Sequence, residues 1–348
     1  MFTGIGGFEL GIERAALSFR NRATQNRESE TFKQGVESTP EGIQPNGDKP
    51  NHIESGDPGQ VLCVGYSEID KAAIKTYEEH YDHRNYGDAT TINAVELPDF
   101  DLLVGGFPCQ AFSVAGKRGG FDDTRGTLFF DVARILAEKR PRHLVLENVK
   151  GLLSHDNGKT FTTILGVLTD LGYFVEWQVL NSKDFGVPQN RERVFIVGHL
   201  GGEPTRKVFP IISSNRTIIE QVNNPRHSNN RLFDTEGVSP TLNTMQGGNR
   251  QPKVIAHQFN RKEGVGKEVD ITGTLSSSDW RGLNRNQNQT AIVSESRIRR
   301  LTPIECERLQ GFPDNWTTGA DTQRYKQCGN AVTVNVVQAV ISGLIDTF

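Results

Sequence analysis

The chain has 348 residues, 35% of them hydrophobic, and a net charge of −3; that length suits one large core plus a smaller second unit, and no apolar run approaches the roughly 20 residues needed to span a bilayer. Four cysteines, at 63, 109, 306 and 328, are too few and too scattered for a disulfide scaffold and include no C-x-x-C pair with zinc spacing. The charge is uneven: residues 201–300 hold 15 Lys+Arg against 9 Asp+Glu, a balance of +6 that leaves −9 for the remainder. A basic segment of that kind suits a phosphate-bearing partner, although solvated surfaces show the same asymmetry. The first residues, MFTGIGGFELG, lack the basic and apolar regions of a secretory signal, so a cytoplasmic protein is expected.

In chain order, a glycine turn leads into an amphipathic helix, FELGIERAALSF. From 21 to 60 the chain is polar, with little to bury, and reads as a disordered insertion. VLCVGYSEID follows as an apolar strand and KAAIKTYEEHY as a helix. FDLLVGGFP is a continuous apolar run, as expected of a strand buried on both faces. TLFFDVARILAEKR is the next helix, stopped by Pro141; HLVLENV is a strand, TFTTILGVLTDLG a helix, and YFVEWQVL and RVFIVGHL are strands. This alternation specifies an open α/β sheet. After Gly201 the composition changes to Asn, Gln, Gly, Ser and Arg with short apolar runs, which predicts a small, mostly β, loop-rich domain over 201–296. Within it SPTLNTMQGGNRQPKVI and TGTLSSSDWRGLNRNQNQTAIV echo each other, as two hairpin units or by chance. TPIECERLQ and AVTVNVVQAVISGLI are helices that return to the first domain.

Several segments carry chemistry. FTGIGGFELG lets backbone approach a ligand at a helix amino terminus, and on its own fits a nicotinamide site or a tight corner equally well. Glu68, after an apolar strand, can accept from two ribose hydroxyls or stand on the surface. Asp88 can meet an adenine amino group or serve as an ordinary turn residue. GGFPCQAFSVAG places Cys109 at the carboxyl end of a strand, where α/β enzymes build their sites, and Pro108, Gln110 and Ser113 around it favour a nucleophile over a dry core thiol. HLVLENV ends on Glu147, which parallel strands would bring to the same edge, where an acid can protonate a ring nitrogen while a thiolate adds to the ring. In QNRERVFIVG, strand alternation puts Arg191 and Arg193 on one face, able to hold a thiolate, a phosphate or a carbonyl oxygen.

Taken together, these segments resemble the bacterial cytosine-C5 DNA methyltransferases of restriction and modification systems. FTGIGG resembles the family's first cofactor motif, GFPCQAFS its catalytic loop, LENVKGL its acid motif and QNRERVFIVG its arginine motif; RLTPIECERLQGFPDNW and CGNAV match the last two. The match covers nearly all of 61–200 and 297–348, and 201–296 falls where the family keeps its target-recognition domain. The resemblance implies a Rossmann-like S-adenosylmethionine-dependent catalytic domain over 1–200 and 297–348, with a smaller, mostly β target-recognition domain over 201–296. It implies that Cys109 adds to C6 of a flipped cytosine in double-stranded DNA while Glu147 protonates N3 and Arg193, with Arg191, supports the activated base. Phe2, Gly4, Ile5, Gly6, Gly7, Glu68, Ile69, Asp88, Ala89, Phe107, Pro108, Leu128, Asn330 and Val332 match positions around S-adenosylmethionine. Gln110 and Ser113 match the loop that closes over DNA, and Thr274, better spaced than Thr241, matches the residue beneath the flipped nucleotide. No metal, membrane or obligatory protein partner is implied, and a monomer is expected. Family members carry several apolar residues before the first-motif phenylalanine; here Met1 directly precedes Phe2, so a missing or shortened first strand is expected. An RNA cytosine methyltransferase or a truncated inactive DNA-binding homologue are the alternatives; a nicotinamide oxidoreductase leaves Cys109, Glu147 and the arginines without roles.

Overall fold

The computed structural model describes residues 4–33, 61–108, 128–212 and 301–345, with five two- or three-residue strands between 232 and 267. Helix α1 (Gly7–Lys33) begins at the glycine turn and continues through the polar stretch to Lys33, which corrects the expectation of an irregular segment from residue 21. Residues 21–33 contain no Gly or Pro and include Arg22, Gln25, Arg27, Glu28, Glu30 and Lys33, which lose little freedom in a helix, and adding turns to a formed helix is easier than nucleating one. The rest of the proposed insertion, 34–60, lies outside the described residues.

The segment expected as a strand at 61–70 makes only a one-residue bridge, Tyr66 to Asn85, among the described residues. An apolar run becomes a strand only where a neighbouring backbone offers hydrogen-bond partners, and Val61, Leu62 and Val64 stay exposed. Helix α2 (Lys71–Glu78) starts at Asp70, whose Oδ1 accepts from the Ala72 and Ala73 amides. The sheet is built from β1 (Leu102–Gly106), β2 (His143–Val149), β3 (Tyr173–Asn181) and β5 (Glu192–Leu200), with helices α3 (Leu128–Lys139) and α4 (Lys159–Asp170) between them; β4 (Gln189–Asn190) lies just before β5. The strand order is β1-β2-β5-β3. Strands β1 and β2 are parallel, whereas β5 runs antiparallel to both β2 and β3.

Period-two alternation divides these strands between two cores. Leu144, Leu146, Val194 and Ile196 pack against α3 and α4. Val145, Phe195 and Val197 face the other way, onto Phe8, Ile12 and Ala15 of α1 and onto α7 (Val334–Ile345). The result is a three-layer α/β unit of the expected class. Beyond the sheet, β6 (Leu232–Phe233) pairs with β8 (Lys253–Val254), β4 with β7 (Ser239–Pro240), and β9 (Gln258–Asn260) with β10 (Val265–Lys267); the two proposed hairpin units lie largely outside the described residues.

The chain returns through α5 (Pro303–Leu309) and α6 (Asp321–Asn330). Helix α5 opens with a capping box, in which Glu305 N donates to Thr302 Oγ1 and Thr302 N donates to Glu305 Oε2. Helix α6 was not expected, because DTQRYKQCGN carries too few apolar residues to show a helical period. Asp321–Ile345 taken whole is long and apolar enough to cross a bilayer, a property not expected of this chain, yet 61% of its most apolar window is buried within the fold, and the backbone leaves helical geometry at Ala331.

At the end of β2 away from Glu147, His143 Nδ1 lies 3.2 Å from His199 Nδ1, and His199 Nε2 lies 2.9 Å from Glu176 Oε1. Burial pushes the His143 imidazole down from 6.5 to about 4; His199 and Arg142 act in the same direction and Asp101 opposes them. The fold therefore holds His143 neutral where the unfolded chain takes up a proton, so stability contributed by this site is complete above about 6.5 and lost as pH falls towards about 4. Replacing His143 by Gln should flatten that part of the pH dependence of the urea-unfolding free energy; an unchanged slope would exclude His143 as its source. In the core, Leu136→Ala empties a fully buried position between α3 and the sheet and is expected to lower the unfolding free energy by about 2–5 kcal/mol, read from the urea midpoint.

Candidate active site

The edge of the sheet where β1 and β2 end brings together Glu147 and Arg193. In the parallel register Gly106 is the partner of Glu147, and in the antiparallel register Val149 is the partner of Arg193. Glu147 and Val149 share a face, so Arg193 sits diagonally across from Glu147 on that face. Arg193 Nε is 2.9 Å from Glu147 Oε1, and the two side chains retain 16% and 14% exposure, enough to touch a ligand. Arg193 Nη1 also donates to Glu192 O at 2.8 Å, which fixes the guanidinium plane beside the carboxylate. A Cβ at Gly106 would stand 3.1 Å from Glu147 Oε2; glycine here leaves the acid its space.

Phe107 and Pro108 continue from β1 towards Cys109. Asn148, buried beside the acid, donates from Nδ2 to Phe107 O at 2.8 Å and accepts from Val149 N at 2.8 Å. It therefore fixes the point where the loop leaves the sheet, a role that the sequence marks only as a polar residue ending an apolar strand. Cys109, Gln110, Ser113, Thr274 and Phe2 lie outside the described residues.

Arg191 behaves differently from Arg193. It is buried and donates to the carbonyls of Gly329 and Ala331. Its surroundings hold it in electrostatic range of Arg193 and Glu147, and hydrogen bonds tie its guanidinium to the carboxyl-terminal end of α6. Residue 191 directly precedes β5, so strand alternation alone does not set its direction.

A second cluster forms around the glycine turn. Gly4 and Gly6 adopt positive φ of 64° and 86°, a conformation that glycine reaches without steric cost. Glu68 Oε2 accepts from Gly4 N at 3.0 Å, and Oε1 accepts from Ile69 N and Asp70 N, each at 2.9 Å. A carboxylate has about four acceptor sites, so Glu68 both anchors the turn and keeps capacity for a ligand hydroxyl. Beside it Ile69 is 69% exposed, an apolar side chain bared next to a carboxylate. Asp88 Oδ1 accepts from Thr90 N and Thr90 Oγ1, bonds that hold its carboxyl below the usual range, while Ala89 is buried behind it. Two residues to which the sequence assigned no task assemble this cluster. Asn85 Oδ1 accepts from Glu68 N and Gly87 N, and its Nδ2 donates to Glu68 O. Trp316 Nε1 donates to Ile5 O at 2.8 Å, and Trp316, Phe312, Ala331 and Val334 enclose the buried Ile5 side chain. Nothing marked Asn85 in a polar connection; Trp316 stood within a matched motif without an assigned task. Val332 is buried, Asn330 exposed and Leu128 half-buried at the start of α3.

The Asn148 bridge can be tested directly. Asn148→Asp keeps the shape but sets a carboxylate oxygen against Phe107 O, and should destabilise the protein by about 1–3 kcal/mol in urea unfolding; stability equal to wild type would remove Asn148 from this role.

Comparison with known proteins supplies the family. The model of the C-5 cytosine-specific DNA methylases matches residues 54–346. The orphan methyltransferase M.SPRI of Bacillus phage SPR is 34% identical over 407 aligned positions, covering 82% of this chain and 92% of the phage protein. The Type II methyltransferase M.HpaII of Haemophilus parainfluenzae is 40% identical, covering 80% of this chain and 81% of its own length. Among solved structures, the Entamoeba histolytica methyltransferase EhMeth superposes with a TM-score of 0.59 at 15% identity, covering 99% of this chain and 96% of its own; at that identity the likeness concerns the fold. The carboxyl-edge acid and arginine, the glycine turn with its carboxylate and the extent of the family match lead to one conclusion: the chain belongs to the C-5 cytosine-specific DNA methylases and is a DNA (cytosine-5-)-methyltransferase.

Proposed function

We propose that the chain transfers a methyl group from S-adenosylmethionine to C5 of a cytosine flipped out of a specific duplex DNA sequence, as the modification component of a restriction and modification system. The observation that carries this reading is the Glu147–Arg193 pair at 2.9 Å, set beside the strand end that leads through Phe107 and Pro108 to Cys109. The system context rests on relatives named Type II methyltransferases, among them M.HpaII and M.HhaI.

The residues around the glycine turn suit an adenosyl ligand. Glu68 keeps acceptor capacity for a ribose hydroxyl, Ile69 offers an apolar surface to a base, and Asp88 can accept from an amino group. Bound there, S-adenosylmethionine supplies an electrophilic methyl group. The Cys109 thiolate adds to C6 and forms an S–C6 bond, while N3 takes a proton from Glu147, so that the electron pair becomes available at C5. Arg193 holds the base and orients Glu147. Once C5 carries the methyl group, loss of the C5 proton to a base lets the C6–S bond break and returns the thiolate, and N3 gives its proton back to Glu147. Gln110 and Ser113 close over the DNA, Thr274 supports the flipped nucleotide, and 201–296 acts as the target-recognition domain joined to a catalytic domain of 1–200 and 297–348. The enzyme works in the cytoplasm as a monomer.

The test is transfer of labelled methyl to unmethylated mixed-sequence duplex DNA. Wild type should transfer label and Cys109→Ser should lose at least about 1000-fold, as expected when a covalent nucleophile is removed. Label entering transfer RNA in preference to duplex DNA, or activity retained by Cys109→Ser, would overturn the reading.

A further inference from the structure

Arg191 brings a buried positive charge against backbone carbonyls at the end of α6. Nη1 and Nη2 each donate to Gly329 O at 3.2 Å, and Nη2 donates to Ala331 O at 2.8 Å. Gly329 lies in the last turn of α6 and Ala331 is its carboxyl-terminal cap. Carbonyls at that end of a helix have lost their intrahelical donors and carry the negative end of the helix dipole. A forked guanidinium suits such a site better than a lysine ammonium. Burial and Arg193 push Arg191 down to about 9, and Glu147 opposes them, so it remains a cation at neutral pH.

The two clamped carbonyls flank Asn330, which is exposed, and precede Val332. A second set of bonds fastens the same turn. Gln189 Nε2 donates to Leu309 O and to Gln310 Oε1; Gln310 Nε2 donates to Cys328 O; Thr333 Oγ1 donates to Gln310 Oε1 and pairs with Ser182 Oγ at 2.8 Å. The stretch that leads into β5 is thereby tied to the turn between α6 and α7, and that turn packs under Ile5 of the glycine loop.

We propose that Arg191 is a positioning residue for the S-adenosylmethionine site: it caps α6 and sets the Asn330–Val332 turn against the cofactor, while Arg193, two residues on, serves the base. The inference rests on the proposed S-adenosylmethionine site, to which the family resemblance assigns Asn330 and Val332. It makes one strand entry responsible for both halves of the site.

The test compares wild type, Arg191→Met and Arg191→Lys. Affinity for S-adenosylhomocysteine is measured by titration calorimetry, duplex DNA affinity by fluorescence anisotropy, and methyl transfer by single turnover at saturating S-adenosylmethionine. Loss of charge-assisted bonds predicts about 10- to 100-fold weaker S-adenosylhomocysteine binding for Arg191→Met, a smaller loss for Arg191→Lys, unchanged DNA affinity, and a saturated rate within about threefold of wild type. Unchanged cofactor affinity with a collapsed saturated rate would make Arg191 a reacting group and overturn the proposal; equal losses for cofactor and DNA would reduce it to a general structural support, which also overturns it. If Arg191→Met does not fold, Arg191→Lys decides on the same criteria. A wild-type protein that fails to bind S-adenosylhomocysteine would refute the cofactor reading itself, and is recognised without any variant.

Discussion

Parallel, in-register pairing of Leu102–Gly106 with His143–Val149 is the constraint on which the site depends, because it delivers the carboxyl ends of both strands at one edge. One of those ends carries Glu147; the other passes through Phe107 and Pro108 to Cys109. Reversing either strand would send its carboxyl end to the opposite edge and separate the acid from the thiol-bearing loop by the length of the strand. The antiparallel β5 then contributes Arg193 from its amino-terminal end, so three chain segments far apart in sequence converge with backbone hydrogen bonds fixing their registers. Register matters more here than strand content, since a slip by one residue would turn Glu147 into the core and Asn148 to the surface.

The carboxyl-terminal segment completes what the sheet begins. Helix α7 covers one face of the sheet beside α1, while Trp316 and Phe312 lie under the glycine turn. Helix α2 is held from the same side: Lys326 pairs with Asp70 at its start, and Gln327 Nε2 donates to Ala72 O at 2.9 Å. Buried polar groups are costly unless they are paired, and this interface contains Gln189, Gln310, Thr333, Arg191 and Glu307, all buried. Glu307 shows how the cost is met, with Asn315 N, Thr317 N and Arg324 donating to its carboxylate. Such a network admits few alternative packings, which suits a surface that must present a turn to a ligand in one geometry.

Much of this was legible in the sequence, and the reasons differ by element. Strands β1, β2, β3 and β5 and helices α3, α4 and α7 show as apolar runs of the right length with clear periods. Glu147 and Arg193 were found because polar residues at the ends of apolar strands stand out. What escaped were features that depend on a distant partner. The 61–70 segment has strand composition but only a one-residue bridge among the described residues. Helix α1 outruns its apolar face because propagation needs no burial. Arg191 looked like a twin of Arg193 since alternation is a local rule, whereas its direction is set by carbonyls at Gly329 and Ala331, about 140 positions later. Asn85 and Asn148 act through single side-chain bonds to backbone, which leave no periodic signature.

Arginine at 191 rather than an apolar residue follows from what the end of α6 requires. That helix stops inside the protein, with Gly329 and Ala331 buried. An apolar neighbour would leave two carbonyls without donors at a cost of about 1–3 kcal/mol each. A carboxylate would meet the negative end of the dipole. A lysine could serve one carbonyl well, but its compact ammonium cannot reproduce the fork that reaches both. The guanidinium resolves these demands together, and because its own backbone is fixed by the bond from Arg191 N to Asn181 Oδ1 at 3.0 Å and by Ser182 N donating to Arg191 O at 3.0 Å, the capped helix end is referenced to the same sheet that positions Glu147. A helix terminus that would otherwise be free to fray is thus registered against the sheet edge that carries Glu147.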